Sequence, residues 1–372
     1  MKKSSPKYFM VAGFILLIIL SLINIHGSIG ASSLPLASES ETQAESETEK
    51  KYIKWVEFNV TCEAMQAAYD WDIATYDEEV HLNWIELLAY LGAKYGGNFD
   101  KYKGTDLKKA AEALISKETS LPQLTKKMDY YNYYLQAYGA VLGGLVGEYE
   151  ITEGTQNEWV KHYGLKGFLP IAKGYPFTHY DDFGSSRSYG YKRPHLGHDM
   201  MGQVGTPIIA VESGYIEAIG WNQYGGWRIG IRSFDKKRYY YYAHLRKNFP
   251  YNTTLKEGSI VQAGDVIGYL GRTGYSSREN QNNIETPHLH WGLQLIFDES
   301  QKDGTHEIWV NCYELSRFLY QNRSETKKNP ETKEHDRIDK FRDNKGSGDL
   351  SFQSLNIYLK SFSYNIIRSS SS

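Results

Sequence analysis

Several absences narrow the reading of this chain before any motif is considered. Only two cysteines, Cys62 and Cys312, occur in 372 residues. They stand far apart and form no disulfide framework. Two isolated thiols are expected, although sequence alone leaves a pairing open. Neither sign of charge dominates: 42 Lys and Arg face 44 Asp and Glu, a formal net charge of −2. No concentrated basic face is implied, which argues against a general nucleic-acid binder. His-Glu-x-x-His and Gly-x-Ser-x-Gly are both missing, so neither a helical zincin nor a serine hydrolase elbow is expected.

Long apolar stretches are scarce except at the N-terminus. There Lys2, Lys3 and Lys7 precede a run from Tyr8 to Ile25 broken only by Ser21 and Asn24. A run of about 18 apolar residues suffices to span a bilayer and exceeds the usual signal-peptide core. Residues 1–31 therefore read as a membrane anchor with its N-terminus inside, or as a signal peptide cleaved near Ser28 or Gly30 and Ala31. Either version places the remainder outside the cytoplasm. Residues 32–50, rich in Ser, Glu, Thr and Ala, read as an acidic flexible linker.

The patterning then divides the chain. Residues 51–155 read as a small helical domain. Apolar residues recur at helical intervals from Val80 to Leu91, a second helix is expected over Thr105 to Ile115 after a cap, and a third from about 122 to 145. Residues 156–321 read as short strands with turns such as Trp221 to Gly226, an antiparallel β domain, making the fold α+β. Residues 322–372 are charged, poor in apolar side chains and end in a serine run, and so read as a disordered tail. The 31 tyrosines suit extended structure and aromatic-lined grooves.

What the chain does have is histidine and aspartate in three clusters: Pro194, His195, Leu196, Gly197, His198, Asp199; then His244; then His288, Leu289, His290. Neutral imidazole and carboxylate are the donors a Zn²⁺ ion recruits, and a catalytic zinc takes three of them. From 288 to 295 the alternation is that of a strand. His288, His290, Gly292 and Gln294 share one face, and Leu289, Trp291, Leu293 and Leu295 the other. His195 and Asp199 share a face if extended, while His198 points away. The run Tyr239 to Leu245 is strand-like and is expected to deliver His244 to the face of Tyr240 and Tyr242, which read as packing residues. His26, His81, His162, His179, His306 and His335 belong to no such constellation.

This ordered set resembles the lysostaphin-type (LytM-like) zinc peptidases, which cleave peptidoglycan cross-links. Asp182, Phe183, Gly184 and Arg187 look like the family's opening segment. His195, Gly197 and Asp199 fit its His-x-Gly-x-Asp pattern, and Gly205 to Ala210 with Ser213 to Ile216 the following strand pair. Tyr242, Ala243, His244 and Leu245 fit the middle histidine motif, Gly258 to Gly268 and Gly271 to Gly274 the glycine-rich hairpin, and His288 with His290 the closing pair. The likeness covers roughly 175–300 and implies a LytM-like β-sandwich or barrel.

Carried onto these positions, the resemblance implies that His195, Asp199 and His290 bind one zinc ion, and that His244 and His288 form the catalytic pair. It implies a zinc endopeptidase in which a metal-activated water attacks the amide carbonyl. A histidine with a pKa near 6.5 is suited to moving that water's proton. Peptidoglycan stem or cross-link peptides would be the partners, with the membrane engaged through the N-terminal segment, and the location the cell membrane or the wall. In this family a segment before the catalytic domain can occlude the zinc. The rival reading is a catalytically silent scaffold that binds an envelope or sporulation partner.

Overall fold

The computed structural model describes residues 52–153, 158–304 and 306–343. The expected anchor or signal peptide, the acidic linker and the tail beyond 343 lie outside these residues. Among the described residues no helix is long and apolar enough to cross a membrane.

Local chemistry accounts for the helices. In α1 (Cys62–Ala74) the Thr61 hydroxyl accepts from the Ala64 amide. Asn83 caps α2 (Trp84–Tyr95) by accepting from the Ile85 and Glu86 amides at 2.9 and 3.3 Å. Gly96, in the left-handed region, ends it. The helix expected over Thr105 to Ile115 is α3 (Gly104–Ile115), but Lys103 precedes it without the expected side-chain cap bond. The run expected from 122 to 145 is two helices, α4 (Leu121–Thr125) and α5 (Tyr131–Leu142). Short turns separate them, closed by the Met128 amide on the Thr125 carbonyl and the Tyr131 amide on that of Met128.

The strands are β1 (Val146–Glu153), β2 (Glu158–Leu165), β3 (Phe177–His179), β4 (Ser186–Tyr189), β5 (Tyr191–Pro194) and β6 (His198–Gly202). There follow β7 (Pro207–Ile209), β8 (Gly214–Asn222), β9 (Gly226–Ser233), β10 (Arg238–Ala243), β11 (Ile260–Val261) and β12 (Val266–Tyr269). Last come β13 (His288–Leu295), β14 (Ile308–Val310), β15 (Thr326–Lys328), β16 (His335–Arg337) and β17 (Phe341–Arg342), with helix α6 (Tyr313–Leu319) between β14 and β15. The main sheet has the order β11-β8-β9-β10-β13-β6-β3, with β14 also pairing β13. Its pairings are antiparallel, and the fold is α+β.

Two boundaries drawn from sequence are not physical ones. The break expected at 155/156 falls inside a hairpin, because β1 pairs along its whole length with β2. The helices and the main sheet also share one core, in which Leu88, Val141, Trp291, Leu293 and Phe318 are buried together. Residues 322–343, expected within a disordered tail, form β15 to β17. Phe341 is buried, stacks 5.2 Å from Tyr149 and pairs with Ile151. One aromatic anchor, supported by the Arg337 guanidinium over its ring at 5.0 Å, holds a segment whose overall composition is polar.

A buried polar cluster joins α5 to the sheet. The Arg238 guanidinium donates to Glu212 at 2.7 and 3.1 Å and to the Ala140 carbonyl near the end of α5 at 2.8 Å. A second cluster centres on Asp72, which is fully buried and accepts from the Trp84 amide at 2.8 Å and from the Tyr163 hydroxyl at 2.7 Å, with His81 Nε2 at 2.9 Å. That hydrogen bond, more than the opposing burial, raises the His81 pKa. Removing the carboxylate strands the buried Trp84 amide and the half-buried Tyr163 hydroxyl, so Asp72→Ala is expected to lose about 2–4 kcal/mol of stability. Urea denaturation checks this, and an unchanged midpoint would contradict it.

Candidate metal centre

The site is assembled on β13 and the strands flanking it. One face of β13 carries Leu289, Trp291, Leu293 and Leu295, all with no exposed surface, so the opposite face must present His288, His290 and Gln294, which line a cleft of about 680 Å³. The register with β6 sets His290 opposite Asp199, and that with β10 sets it opposite Ala243. His195 is not on a strand. It lies in the turn between β5 and β6, and the chain bends at Leu196 and Gly197 to bring it beside Asp199. A Cβ on Gly197 would come within 2.4 Å of His290 Cε1 and 2.5 Å of its Nε2, so the motif's glycine makes room for the third member.

Three donor atoms meet at this point. His195 Nε2 lies 3.0 Å from Asp199 Oδ1 and 3.0 Å from His290 Nδ1, which is 2.9 Å from Asp199 Oδ1. His195, Asp199 and His290 are the one group among the described residues with metal-holding convergence. Zinc–nitrogen bonds of about 2.0–2.1 Å put tetrahedral ligands about 3.3 Å apart. The observed triangle therefore needs only small outward movement to hold such an ion.

The surroundings fix which atoms face the centre. His195 Nδ1 points at Asp182, 3.4 Å from its carbonyl oxygen and 3.2 Å from Oδ1, which leaves Nε2 as the lone-pair nitrogen. Arg187 Nη2 bridges Asp182 and Asp199, at 3.1 Å from the latter's Oδ2. Burial opposes charge on Asp199, but the His195 and His290 rings beside it, in their protonated forms, outweigh it and hold the carboxyl far below the usual carboxylate range. Burial likewise opposes a charged His195, yet the hydrogen bond and charge of Asp199 raise its pKa. His290 is moved down, burial prevailing over Asp199.

His244 and His288 stand beside this triangle, their rings 4.8 Å apart. His288 Nε2 is 3.7 Å from Asp199 Oδ1. His244 Nδ1 is 2.9 Å from the Thr273 carbonyl, and His288 Nδ1 is 2.8 Å from that of Thr286. In each neutral ring Nδ1–H is therefore the donor and Nε2 the free base. Burial, then the charges of His288 and His290, push the His244 pKa well below its ordinary value.

His244 does not share the face of Tyr240 and Tyr242, whose side chains are fully buried. The strand ends at Ala243, and His244 takes φ +62°, which reverses the alternation and turns the imidazole into the cleft beside Tyr241. His198 points away, as expected. It is buried against His179 Nδ1 at 2.8 Å and Ser316, and burial with the His179 charge drives its pKa down to about 3. Sequence reasoning gave no role to Asp182 and Arg187, and it missed the Thr273 and Thr286 carbonyls altogether. Any residue type supplies a carbonyl, so no sequence signal could have found them. Both cysteines are free, with Cys312 fully buried.

The family described as Peptidase family M23 matches residues 193–303. An L-Ala–D-Glu endopeptidase of Bacillus subtilis is 31% identical over 206 residues, 51% of this chain and 60% of that protein. Lysostaphin of Staphylococcus staphylolyticus is 41% identical over 98 residues, 26% of this chain and 18% of its own length. The chain thus spans less than two thirds of either relative. Among solved structures, the catalytic domain of lysostaphin from Staphylococcus simulans covers 38% of this chain and 92% of its own, at 29% identity and a TM-score of 0.30.

The close approach at Gly197 gives a direct test of the centre. Gly197→Ala is expected to displace His290 and weaken zinc binding roughly tenfold or more, the range seen for changes that disturb ligand support, while far-ultraviolet circular dichroism stays unchanged. Competition with a chromogenic chelator measures the affinity, and parental affinity in this variant would contradict the geometry.

Proposed function

We propose that this chain, whose residues 193–303 match the model of Peptidase family M23, is a zinc-dependent endopeptidase hydrolysing peptide bonds of bacterial peptidoglycan outside the cytoplasm. The observation that carries this reading is the convergence of His195 Nε2, Asp199 Oδ1 and His290 Nδ1 within about 3 Å of one another. Beside them stand two histidines whose Nε2 atoms are free for proton transfer. The activities named for relatives, an L-Ala–D-Glu endopeptidase and a peptidoglycan DD-endopeptidase, support the substrate class. The N-terminal apolar run would supply export and, if retained, a membrane anchor. All three metal donors are present, which disfavours a catalytically silent scaffold.

His195, Asp199 and His290 would hold the zinc, which when bound would lower the pKa of a water to about 7 and polarise the scissile carbonyl. Asp182 keeps His195 in the tautomer that offers Nε2, and Arg187 fixes the second oxygen of Asp199. Hydrolysis adds water across the C–N bond, so one proton must leave the water and one must reach the departing amine. The Nε2 atoms of His244 and His288 are the groups placed to take and return it. Thr273 and Thr286 hold each ring by the opposite nitrogen, so a proton gained at Nε2 leaves the ring a two-sided donor, suited to the oxyanion or the leaving group. His244 is held neutral by its burial, the state a base needs.

The division of labour predicts different losses. His290→Ala is expected to abolish zinc retention, read by metal analysis of the purified chain. His244→Ala is expected to keep about one zinc per chain and lose about 10²–10⁴-fold in turnover of a stem peptide, the usual worth of an acid–base group. Equal metal loss in the two variants, or a His244→Ala chain as active as the parent, would refute the assignment.

A further inference from the structure

Three arginines line the cleft, and only one of them is paired. Arg187 is engaged by Asp182 and Asp199. The guanidinium groups of Arg193, two residues before His195, and Arg228, on β9, form no ion pair among the described residues, and each has a buried Nη1 without a hydrogen-bond partner there. The Arg193 guanidinium is packed instead among three tyrosine rings, 5.0 Å from Tyr224, 5.4 Å from Tyr275 and 5.9 Å from Tyr191. Both positive charges act on the phenol of Tyr241, and the Tyr241 ring meets His290 edge-on at 5.9 Å. Two unpaired cations therefore flank the metal centre on its Tyr241 side.

The carboxylates of the same cleft do not neutralise them. Asp199 belongs to the metal triad and to Arg187, and Glu307 accepts from the Trp309 indole at 2.7 Å. Glu285 and Asp303 also line the cleft without forming an ion pair to either arginine. A half-buried guanidinium left without an acceptor is unfavourable. A planar fork held in place by aromatic rings is preorganised to meet a carboxylate with two parallel N–H bonds. The chemistry on this side of the cleft suits an anion.

We propose that Arg193 and Arg228 form a carboxylate-recognition subsite, so that the preferred substrate is a peptide bearing a free carboxylate beside the scissile amide. This rests on the peptidase reading above and narrows it: neutral peptides, such as bridges built from glycine alone, would be poorer substrates than acidic stem peptides.

The test uses a peptide containing an L-alanyl–D-glutamyl bond with the glutamyl α-carboxylate free, and the same peptide with that group as its carboxamide. For the parent chain kcat/KM is expected to favour the acid roughly tenfold or more, as for a charge-assisted pair. R193Q and R228Q should each narrow the ratio, mainly through KM, and the double variant should bring it close to one. Equal kcat/KM for both forms in the parent, or an undiminished ratio in the double variant, would overturn the proposal. Calorimetric binding of both peptides to the zinc-loaded His244→Ala chain reads the same preference without bond cleavage. Tighter binding of the acid, lost on adding R193Q and R228Q, upholds the subsite even if the parent cuts neither peptide, in which case only the peptidase reading fails. Equal binding of acid and amide overturns it.

Discussion

The register of β13 is the constraint on which the site depends. Its inward residues Leu289, Trp291, Leu293 and Leu295 are completely buried in the core shared with the helices. Because strand side chains alternate, a slip of one residue would bury His288 and His290 and expose a tryptophan and three leucines. At about 1.5–3 kcal/mol for each large apolar side chain, such a slip is ruled out. The hydrophobic core thereby fixes the polar face, and pairing with β6 then fixes Asp199 opposite His290. The ion pair of Arg238 with Glu212, extended to the Ala140 carbonyl, ties the helical layer to β10, the neighbour of β13.

Around this rigid strand the remaining residues arrive from less regular backbone. His195 comes from a turn and His244 from a left-handed position just past the end of β10. Glycine permits both approaches. Gly197 leaves room for His290. Gly274, at φ +126°, lets the chain pass close to His244 Nδ1 and the Tyr224 carbonyl. A strained non-glycine residue at a reactive position persists only where its surroundings over-determine it. The His244 amide bound to the Gly225 carbonyl at 2.7 Å and its ring bound to Thr273 do so here.

Much of the site was legible in the sequence because two strong patterns coincide there. The alternation from His288 to Leu295 marks a strand with one buried face, and His195, Gly197 and Asp199 keep the spacing of the family pattern they resemble. The phase of His244 was not legible, since nothing in Tyr239 to Leu245 announces a reversal after Ala243. The polar segment after 322 hid its order because Phe341 is the one buried hydrophobic side chain among its described residues. The expected domain break failed for a related reason. Composition changes near 155, but β1 and β2 pair across that point and the helices have no core separate from the sheet's. Arg193 and Arg228 carried no sequence signal, because an unpaired guanidinium is recognised only when its neighbours are known.

The most direct measurement is the muropeptide profile of purified peptidoglycan after incubation with the purified chain, with and without a chelator. The account predicts new amines released from peptide stems or cross-links, abolished by the chelator and restored by added zinc. Release of the same products undiminished by chelation, or no release at all by the zinc-loaded chain, would contradict it.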